Sequence, residues 1–277
     1  MQPADIGYAS KLSNAEGWNQ TERDWNLLIG NPQNPCLVAE WGNKVIGTTT
    51  AINYSDKVAW IGMVLVDKEY RGRGVSKSLL KNIFEKLESC KSIKLDATSA
   101  GQAVYKKFQF EEEYFIARMT NSSGKSSPII DYDIIPRLIQ LKDIPEIVAF
   151  DELAFGAKRN QLIEFLFKEY PGKAWLLKRN ERIVGFALGR DGNNYHHIGP
   201  VMASTTIDAK ILIKKALMEL YNQPVVVDVP YDKEDLLTWL NSIGFIKQRH
   251  FVRMYKEKNP YPGIIAKQYL ICGPEFG

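Results

Sequence analysis

"YRGRGVSKSLL" (residues 70–80) alternates two arginines with two glycines and then enters a helical pattern. It follows the run AWIGMVLV (59–66), which is apolar on both faces, as is typical of a central strand. From Val75 onward, apolar side chains recur at the spacing of one buried stripe, which predicts a helix over 75–88. The stretch is therefore predicted to be a turn that joins a buried strand to a helix.

The residues of this turn suit an anion. The first N–H groups of a helix lack partners within the helix, and the aligned peptide dipoles place roughly +0.5 charge there. Gly72 and Gly74 remove side chains that would keep a ligand from the backbone, and they permit positive φ angles. Arg71 and Arg73 add guanidinium groups that match phosphate oxygens. The turn is predicted to hold a pyrophosphate; the alternative is an ordinary turn with surface arginines.

Two familiar phosphate motifs fail here on spacing. A Walker loop requires a glycine just before its Lys-Ser pair, whereas Ser76 precedes Lys77. A dinucleotide-binding fingerprint requires a third glycine at the position that Lys77 occupies. A third pattern, Arg-x-x-Gly-x-Gly/Ala after a central strand, is met by Arg71 and Gly74, with Ser76 in the last place.

With this third pattern, and with Gly62 inside the preceding strand, the sequence resembles the acetyl-CoA loop of the GNAT (Gcn5-related) N-acetyltransferases. An isolated strand glycine often marks a bulge. In that family a bulge there separates two parallel strands, and the pantetheine arm lies between them. The resemblance implies that strand backbone meets this arm and that the turn meets the pyrophosphate. The residues that it assigns to acetyl-CoA are Val64, Leu65, Val66, Arg71, Gly72, Arg73, Gly74, Val75 and Ser76.

The chain also repeats itself on either side of the linker-like stretch NSSGKSSP (121–128). Similar segments occur in the same order in both halves, and they pair Gly47 with Gly185, Gly62 with Gly199, and Asp96 with Asp228. Such a long-period repeat indicates duplication, although two α/β units could share generic strand patterns. The predicted fold is α/β with a mixed sheet (α+β type). It comprises two tandem GNAT-like domains, at 1–127 and 128–277.

The second half departs from the pattern at the turn. It has ASTTIDAKILIKKAL (203–217), without glycine or arginine, and should bind pyrophosphate poorly. We therefore expect one acetyl-CoA site per chain. The segments DELAFGAKRNQL (151–162) and IGPVMAS (198–204) resemble the C-terminal, degenerate unit of tandem GNAT proteins. This unit is expected to shape the acceptor pocket. The tail 266–277 either pairs within its own domain or crosses to close the site.

The catalytic residues are less well marked. Family members often use a tyrosine on the next helix to protonate the departing thiolate, and Tyr105 occupies that place; otherwise it packs the core. The central strand supplies no acid to deprotonate the amine. Glu16, Glu22 and Asp24 are the candidates, and we assign Asp24, although its spacing from Thr21 also suits a capping box.

Three side chains are predicted to contact the acceptor. Trp18 and Trp60 would form walls of its pocket, or else lie in the core or at its rim. His197, on the central strand of the second half, would be a substrate contact or a buried, satisfied histidine.

The composition narrows the function class. A net charge of +4 gives no basic face for nucleic acid, and three scattered cysteines argue against disulfides or a metal site. No leader or membrane-spanning pattern is present, so a cytoplasmic location is expected. The predicted function is acetyl transfer from acetyl-CoA, by direct attack, to a small amine or an N-terminal amine. A non-catalytic acyl-CoA-binding module, or transfer of another acyl group, stays open.

Overall fold

The computed structural model describes residues 1–124 and 134–277. The predicted linker and the predicted boundary between 127 and 128 fall largely or wholly outside the described residues. The helices are α1 (Ile6–Ala15), α2 (Glu22–Ile29), α3 (Val75–Glu85), α4 (Ser99–Lys106), α5 (Ile144–Phe155), α6 (Asn160–Glu169), α7 (Thr206–Glu219) and α8 (Glu234–Ser242). The strands are β1 (Cys36–Trp41), β2 (Lys44–Tyr54), β3 (Val58–Val66), β4 (Ser92–Thr98), β5 (Phe110–Asn121), β6 (Arg137–Leu138), β7 (Ala174–Arg179), β8 (Arg182–Arg190), β9 (His196–Ala203), β10 (Val225–Pro230), β11 (Ile246–Lys256) and β12 (Gln268–Leu270).

These strands form one mixed sheet in the order β1-β2-β3-β4-β11-β5-β10-β9-β8-β7-β6, with β12 against β9. The last long strand of each half lies in the other half. β11 pairs with β4, β5 pairs with β10, and the two exchanged strands pair with each other. The predicted mixed α/β fold is confirmed, and the exchange joins the halves into one continuous sheet.

Two buried ion pairs fasten the exchanged strands. Arg253 of β11 donates to both carboxylate oxygens of Asp96 on β4, at 2.9 and 3.0 Å. Arg118 of β5 binds Asp228 of β10 in the same way, at 2.8 and 2.7 Å. Both aspartates are fully buried, and they are the pair that the sequence repeat matches. Each bidentate pair therefore links one half of the repeat to the other.

The first half contains the predicted strand–turn–helix unit. β1 and β2 form a hairpin across Gly42 and Asn43, and β3 connects through α3 to the parallel strand β4. Helix α3 packs closely on β2 because Gly47 lacks a side chain: a Cβ there would lie 3.0 Å from the Leu65 carbonyl oxygen and 3.1 Å from the Val75 side chain. The helix ends at Glu85, three residues before its predicted end.

Strands β3 and β4 separate part-way along their length. They pair only over Val58–Ile61 on β3. A bulge follows: the pairing of β2 with β3 shifts register there, and Met63 adopts a φ of 50°. The Thr48 hydroxyl donates to the Met63 carbonyl at 2.7 Å and so stabilises the bulge. The predicted bulge is confirmed, but its left-handed residue is Met63 and not Gly62.

In the second half, the equivalent strands β9 and β10 also separate part-way along their length, but residues of the chain itself lie between them. β9 pairs with β10 only at His196 and His197. Beyond this point β12 lies against β9, in register with Val201 and Met202, and the Ile271 N–H donates to the Asp228 carbonyl at 3.0 Å. The space between these two strands is therefore occupied by residues of the C-terminal segment.

After β12, residues 271–277 cross to the first half; we call this segment the tail. The Trp60 indole donates to the Pro274 carbonyl at 2.9 Å, and the Tyr54 hydroxyl donates to the Phe276 carbonyl at 2.8 Å. The sequence analysis gave two alternatives for residues 266–277, pairing within their own half or crossing to the other. The structure shows both: β12 pairs with β9, and the tail then crosses to the first half.

The two matched strand glycines make room for the tail. A Cβ on Gly199 of β9 would lie 2.1 Å from the Ile271 carbonyl oxygen. A Cβ on Gly62 of β3 would lie 2.9 Å from the Cα of Glu275. Neither position could hold a larger residue without displacing the tail.

In the described part of the chain, no helix has the length and apolar character needed to cross a membrane.

Candidate functional site

A cleft of about 670 Å³ lies where β3 leaves β4, and it extends to the N-terminus of α3. This volume is in the range of small-molecule sites. All the residues assigned to acetyl-CoA except Arg73 line it: Val64, Leu65, Val66, Arg71, Gly72, Gly74, Val75 and Ser76. Their binding role itself stays a prediction. The opposite wall comes from the α1–α2 loop, the exchanged strands and the tail.

The turn presents bare backbone to the cleft. Gly72 and Gly74 have φ values of 76° and 81°, which favour glycine over residues with a side chain. Gly74 precedes the first residue of α3, and no side chain in the described part of the protein caps the helix there. A Cβ at either glycine would meet no other atom of residues 1–124 or 134–277 within 4 Å, so the space beside the helix N-terminus is open to these residues.

The two arginines of the turn point to different places. Arg71 lines the cleft, donates to the Val66 carbonyl at 3.2 Å and pairs with Glu16 at 2.7 Å. Arg73 does not line the cleft; its guanidinium lies over the Tyr70 ring, 5.2 Å from the centroid. Of these two arginines, Arg71 is the one placed to face an anion in the cleft.

The corresponding turn of the second half is closed. The Thr205 hydroxyl accepts a hydrogen bond from the Asp208 N–H at 3.1 Å at the start of α7. Arg179 pairs with the Asp208 carboxylate at 2.9 Å. A carboxylate of the chain therefore lies at this helix N-terminus.

Tyr105 projects from α4 into the cleft. Gly101 lies beneath its ring, and a Cβ there would be 2.9 Å from Cε2 of the tyrosine. Phe110 packs on the ring at a centroid distance of 5.8 Å. Burial raises the pKa of Tyr105 above its ordinary value, so the phenol is protonated at neutral pH. Its catalytic role stays a prediction.

Family comparison agrees with this geometry. Residues 8–110 match the model of the acetyltransferase (GNAT) family, and residues 147–270 match the model of an acetyltransferase (GNAT) domain. Together the two matches span most of the chain. The chain is a tandem GNAT protein.

Relatives of this tandem GNAT protein are distant. A holothin acyltransferase from Pseudoalteromonas sp. is 23% identical over 266 residues, which span 91% of this chain and 89% of the relative. YitH of Bacillus subtilis, an uncharacterised N-acetyltransferase, is 24% identical over 205 residues, spanning 72% of this chain and 71% of YitH. The family and these relatives make the protein an acyltransferase.

Solved structures share the fold. A putative acetyltransferase from Pyrococcus horikoshii superposes with a TM-score of 0.81 at 23% identity, covering 100% of this chain and 94% of the other. A tandem GNAT protein from the clavulanic acid biosynthesis pathway gives a TM-score of 0.62 at 12% identity, covering 94% and 98%. At these identities the likeness shows the fold alone.

The second half of this tandem GNAT protein holds the loop that carries Trp18. Trp18 is half-buried and lines the cleft, as do Glu16 and Gln20 beside it. The Asn19 side chain donates to the Tyr195 carbonyl at 3.0 Å and accepts from the N–H groups of Asn194 and Tyr195, both at 2.9 Å. Hydrogen bonds between the two halves thus hold the α1–α2 loop in its place in the cleft wall.

Asp24 does not reach the cleft. It is fully buried, accepts from the Thr21 N–H at 2.7 Å in the capping box, and forms an ion pair with Arg190 at 2.9 Å. The capping reading of the sequence is confirmed, and this position gives Asp24 no contact with a ligand in the cleft.

Trp60 and His197 also lie behind the cleft wall. Trp60 is 1% exposed, packs on Phe155 at 5.8 Å between centroids and supports the tail. His197 is 1% exposed and lies 3.6 Å from Asp228. Burial, reinforced by the neighbouring Arg190, lowers the pKa of His197 to about 3, so this imidazole is neutral at physiological pH.

The cleft contains a carboxylate that the sequence analysis did not single out. Glu275, in the tail, lines the cleft and is only 2% exposed. Its Oε1 pairs with Arg190 of β8, and its Oε2 has no hydrogen-bond partner in the described part of the chain. Sequence analysis raised the possibility that this segment crosses, but no local pattern distinguishes this glutamate from others.

The exchanged strands add two more residues that were missed. Arg118 of β5 and Arg249 of β11 both line the cleft, and their guanidiniums lie 4.9 and 5.7 Å from the ring centroid of Phe251. Only knowledge of the strand exchange would have brought these two arginines to the site.

Proposed function

We propose that the protein transfers an acetyl group from acetyl-CoA to a small-molecule amine or an N-terminal amine. One observation carries the proposal: the unpaired edge of β3, beyond Gly62, opens into the same cleft as the uncapped N-terminus of α3.

The residues present fit acetyl-CoA. A pyrophosphate would lie at the turn, where Gly72 and Gly74 expose backbone to open space and Arg71 supplies a positive charge. An extended pantetheine arm would pair with the free edge of Val64–Val66, as a peptide adds to a sheet edge. When bound, acetyl-CoA supplies the activated thioester.

Tyr105 is the proposed general acid. The acceptor nitrogen forms a bond to the thioester carbonyl carbon, the carbon–sulfur bond breaks, and the Tyr105 hydroxyl gives its proton to the departing sulfur. Because its pKa is raised, this hydroxyl carries its proton at neutral pH and has one to give. Gly101 leaves room for the ring to lie flat on α4 and face the cleft.

Calorimetric titration with acetyl-CoA, followed by a thiol-release assay over a panel of amines, tests this proposal. We expect binding together with amine-dependent release of free thiol. Binding without release on every amine would favour the non-catalytic module, and faster release from longer acyl-CoAs would favour another acyl group. Absence of acetyl-CoA binding would refute the proposal.

A further inference from the structure

We infer that Glu275 is the general base that takes the proton from the acceptor amine. The second half of the chain would then complete the active site of the first through its tail. This inference rests on the proposed function and identifies the group that the central strand lacks.

The first support is position. The Glu275 backbone packs directly on β3 at Gly62, where the strands separate. The other end of the proposed acetyl-CoA site begins at Val66, the last residue of β3. Val66 is four residues beyond Gly62, so about 13 Å of strand separates it from Glu275 at roughly 3.3 Å per residue. Glu275 and Tyr105 both line the cleft, so they belong to the same site. A base and an acid at one site are what the two proton transfers of acyl transfer to an amine require.

The second support is the way the carboxylate is held. Oε1 is engaged by Arg190, whereas Oε2 is buried and without a partner in the described residues. Buried carboxylate oxygens normally accept hydrogen bonds, so an unpartnered one on a residue that lines a cleft is suited to accept an N–H from a ligand. The flanking carbonyls of Pro274 and Phe276 accept from Trp60 and Tyr54, and these bonds fix the tail on both sides of the glutamate.

The third support is charge. Burial raises the pKa of Glu275, and the guanidinium of Arg190 opposes this shift. The charged groups that act on it are Arg190 from β8, Asp24 from α2 and Arg118 from β5. Two titratable groups also interact with it, Cys272 of the tail and Tyr54 of β2. The carboxylate is therefore a stronger base than an exposed glutamate, while Arg190 favours its ionised form.

Each proton in the proposed reaction has a donor and an acceptor. As the carbon–nitrogen bond forms, the amine proton passes to Oε2 of Glu275, and Tyr105 gives its own proton to the departing sulfur. Water then takes the proton from Glu275 and returns one to Tyr105. The products are the amide and the free thiol, and no other reactant is needed.

The test is Glu275→Gln in the full chain, with Glu22→Gln as the matched control, since Glu22 is exposed and does not line the cleft. With an amine that the wild type acetylates, we expect kcat/KM to fall about 10²- to 10⁴-fold while the acetyl-CoA Kd stays within threefold. Protonation of the free amine lowers kcat/KM toward acid pH in every variant, and the additional fall that a carboxylate base contributes should disappear. Glu275→Asp should retain that pH dependence at a lower kcat.

The outcomes separate the two proposals. If Glu275→Gln is folded, by thermal denaturation, yet keeps the wild-type rate and pH profile, the inference fails and the proposed function stands. If Glu275→Gln does not fold, Glu275→Asp decides, because loss of the acid limb in that variant contradicts the role. If the wild type releases no thiol with any amine, both proposals fail.

Arg249 carries a second, independent inference. Its guanidinium is half-buried in the cleft wall, its Nε is buried without a hydrogen-bond partner, and no carboxylate pairs with it in the described part of the chain. The neighbouring Arg118 already holds Asp228 by two hydrogen bonds. Asp228 is therefore already bound by Arg118, and Arg249 has no carboxylate partner of its own in the described part of the chain.

We propose that the acceptor carries an oxyanion, a carboxylate or a phosphate, which Arg249 binds. A partly buried cation without a partner is unfavourable, and a planar guanidinium fits either oxyanion through two parallel hydrogen bonds. Glu275 lines the same cleft and would face the amine. The preferred substrates would thus combine an amine with an anionic group. This inference also rests on the proposed function.

The test compares matched acceptors: an ω-amino acid, its amide and the aminoalkyl phosphate of equal length. We expect the wild type to prefer one of the two anions over the amide by tenfold or more in kcat/KM; which anion it prefers identifies the oxyanion. Arg249→Gln should abolish this preference by lowering kcat/KM on the preferred anion to that on the amide, and Arg249→Lys should retain part of it. A wild type that treats all three alike, or an Arg249→Gln protein that binds CoA tenfold more weakly, overturns the inference while leaving acetyl transfer itself intact.

Discussion

Replacing Gly62 with alanine should displace the tail and lower activity without removing acetyl-CoA binding. The new Cβ would lie 2.9 Å from the Glu275 Cα, 3.1 Å from its carbonyl oxygen and 3.3 Å from its Cβ. Ordinary contacts at such atoms are 3.4–4 Å, so the tail must move by about 0.5 to 1 Å. A misplacement of about 1 Å in a catalytic group can cost about 10²-fold, and overpacking costs about 1–3 kcal/mol of stability.

The assay is thiol release at saturating acetyl-CoA, with thermal denaturation and CoA titration alongside. We expect kcat to fall about 10- to 100-fold for Gly62→Ala. Gly172→Ala is the control, because a Cβ at Gly172 meets nothing within 4 Å and its φ is not positive. In the Glu275→Gln background the Gly62→Ala change should cost little, since the displaced group is already inactive. The reasoning would be refuted if Gly62→Ala kept wild-type activity. It would also be refuted if the double variant lost the full product of the two single-variant reductions in kcat.

Three further changes test other parts of the account. Gly74→Glu places a side chain and a negative charge at a φ of 81° beside the α3 N-terminus, so the Kd of CoA should rise at least tenfold by calorimetry while the protein stays folded, with a modest fall in melting temperature; an unchanged Kd would exclude this turn as the phosphate site. Tyr105→Phe should lower kcat about 10²-fold with little change in the KM for acetyl-CoA; equal kcat would leave Tyr105 a packing residue. Asp228→Asn should cost about 3–5 kcal/mol in denaturant unfolding, because Arg118 stays buried without its charge partner; a loss below 1 kcal/mol would contradict this. Burial alone would raise the pKa of Asp228, but Arg118 outweighs it and the net shift is downward, so this stability is present above about pH 4 and is lost as the pH falls through the lower folded-state pKa.

The strand–turn–helix unit was predictable because its signals are local. An apolar run, two glycines and a helical stripe determine β3, the turn and α3 without reference to the rest of the chain. The capping box at Thr21 was predictable for the same reason. Helix ends depend on packing beyond the local sequence, so the end of α3 was placed three residues too late.

The strand exchange was not predictable from these patterns. β5 and β11 are repeat-equivalent strands, and each carries an arginine that could pair with the aspartate of either half. Alternating polarity determines which side chains are buried but not which neighbouring strand is the partner. Arg118 and Arg249 were therefore missed at the cleft.

The bulge in β3 was predicted correctly, but the reason for the glycine at position 62 was only partly understood. The glycine suggested a bulge, and the bulge exists, but its left-handed residue is Met63. Gly62 is needed because the tail, more than 200 residues later in the chain, packs against it. A contact between residues so far apart in the chain produces no periodic pattern in a single sequence. For the same reason the sequence did not indicate that Glu275 lies at the cleft.

Calorimetric titration of the full chain with acetyl-CoA tests the central claim most directly. The account predicts one molecule bound per chain, because the cleft of the first half is open whereas β12 and Asp208 close the second. Gly74→Glu should weaken this binding at least tenfold. Two molecules per chain, or binding that Gly74→Glu leaves unchanged, would contradict it.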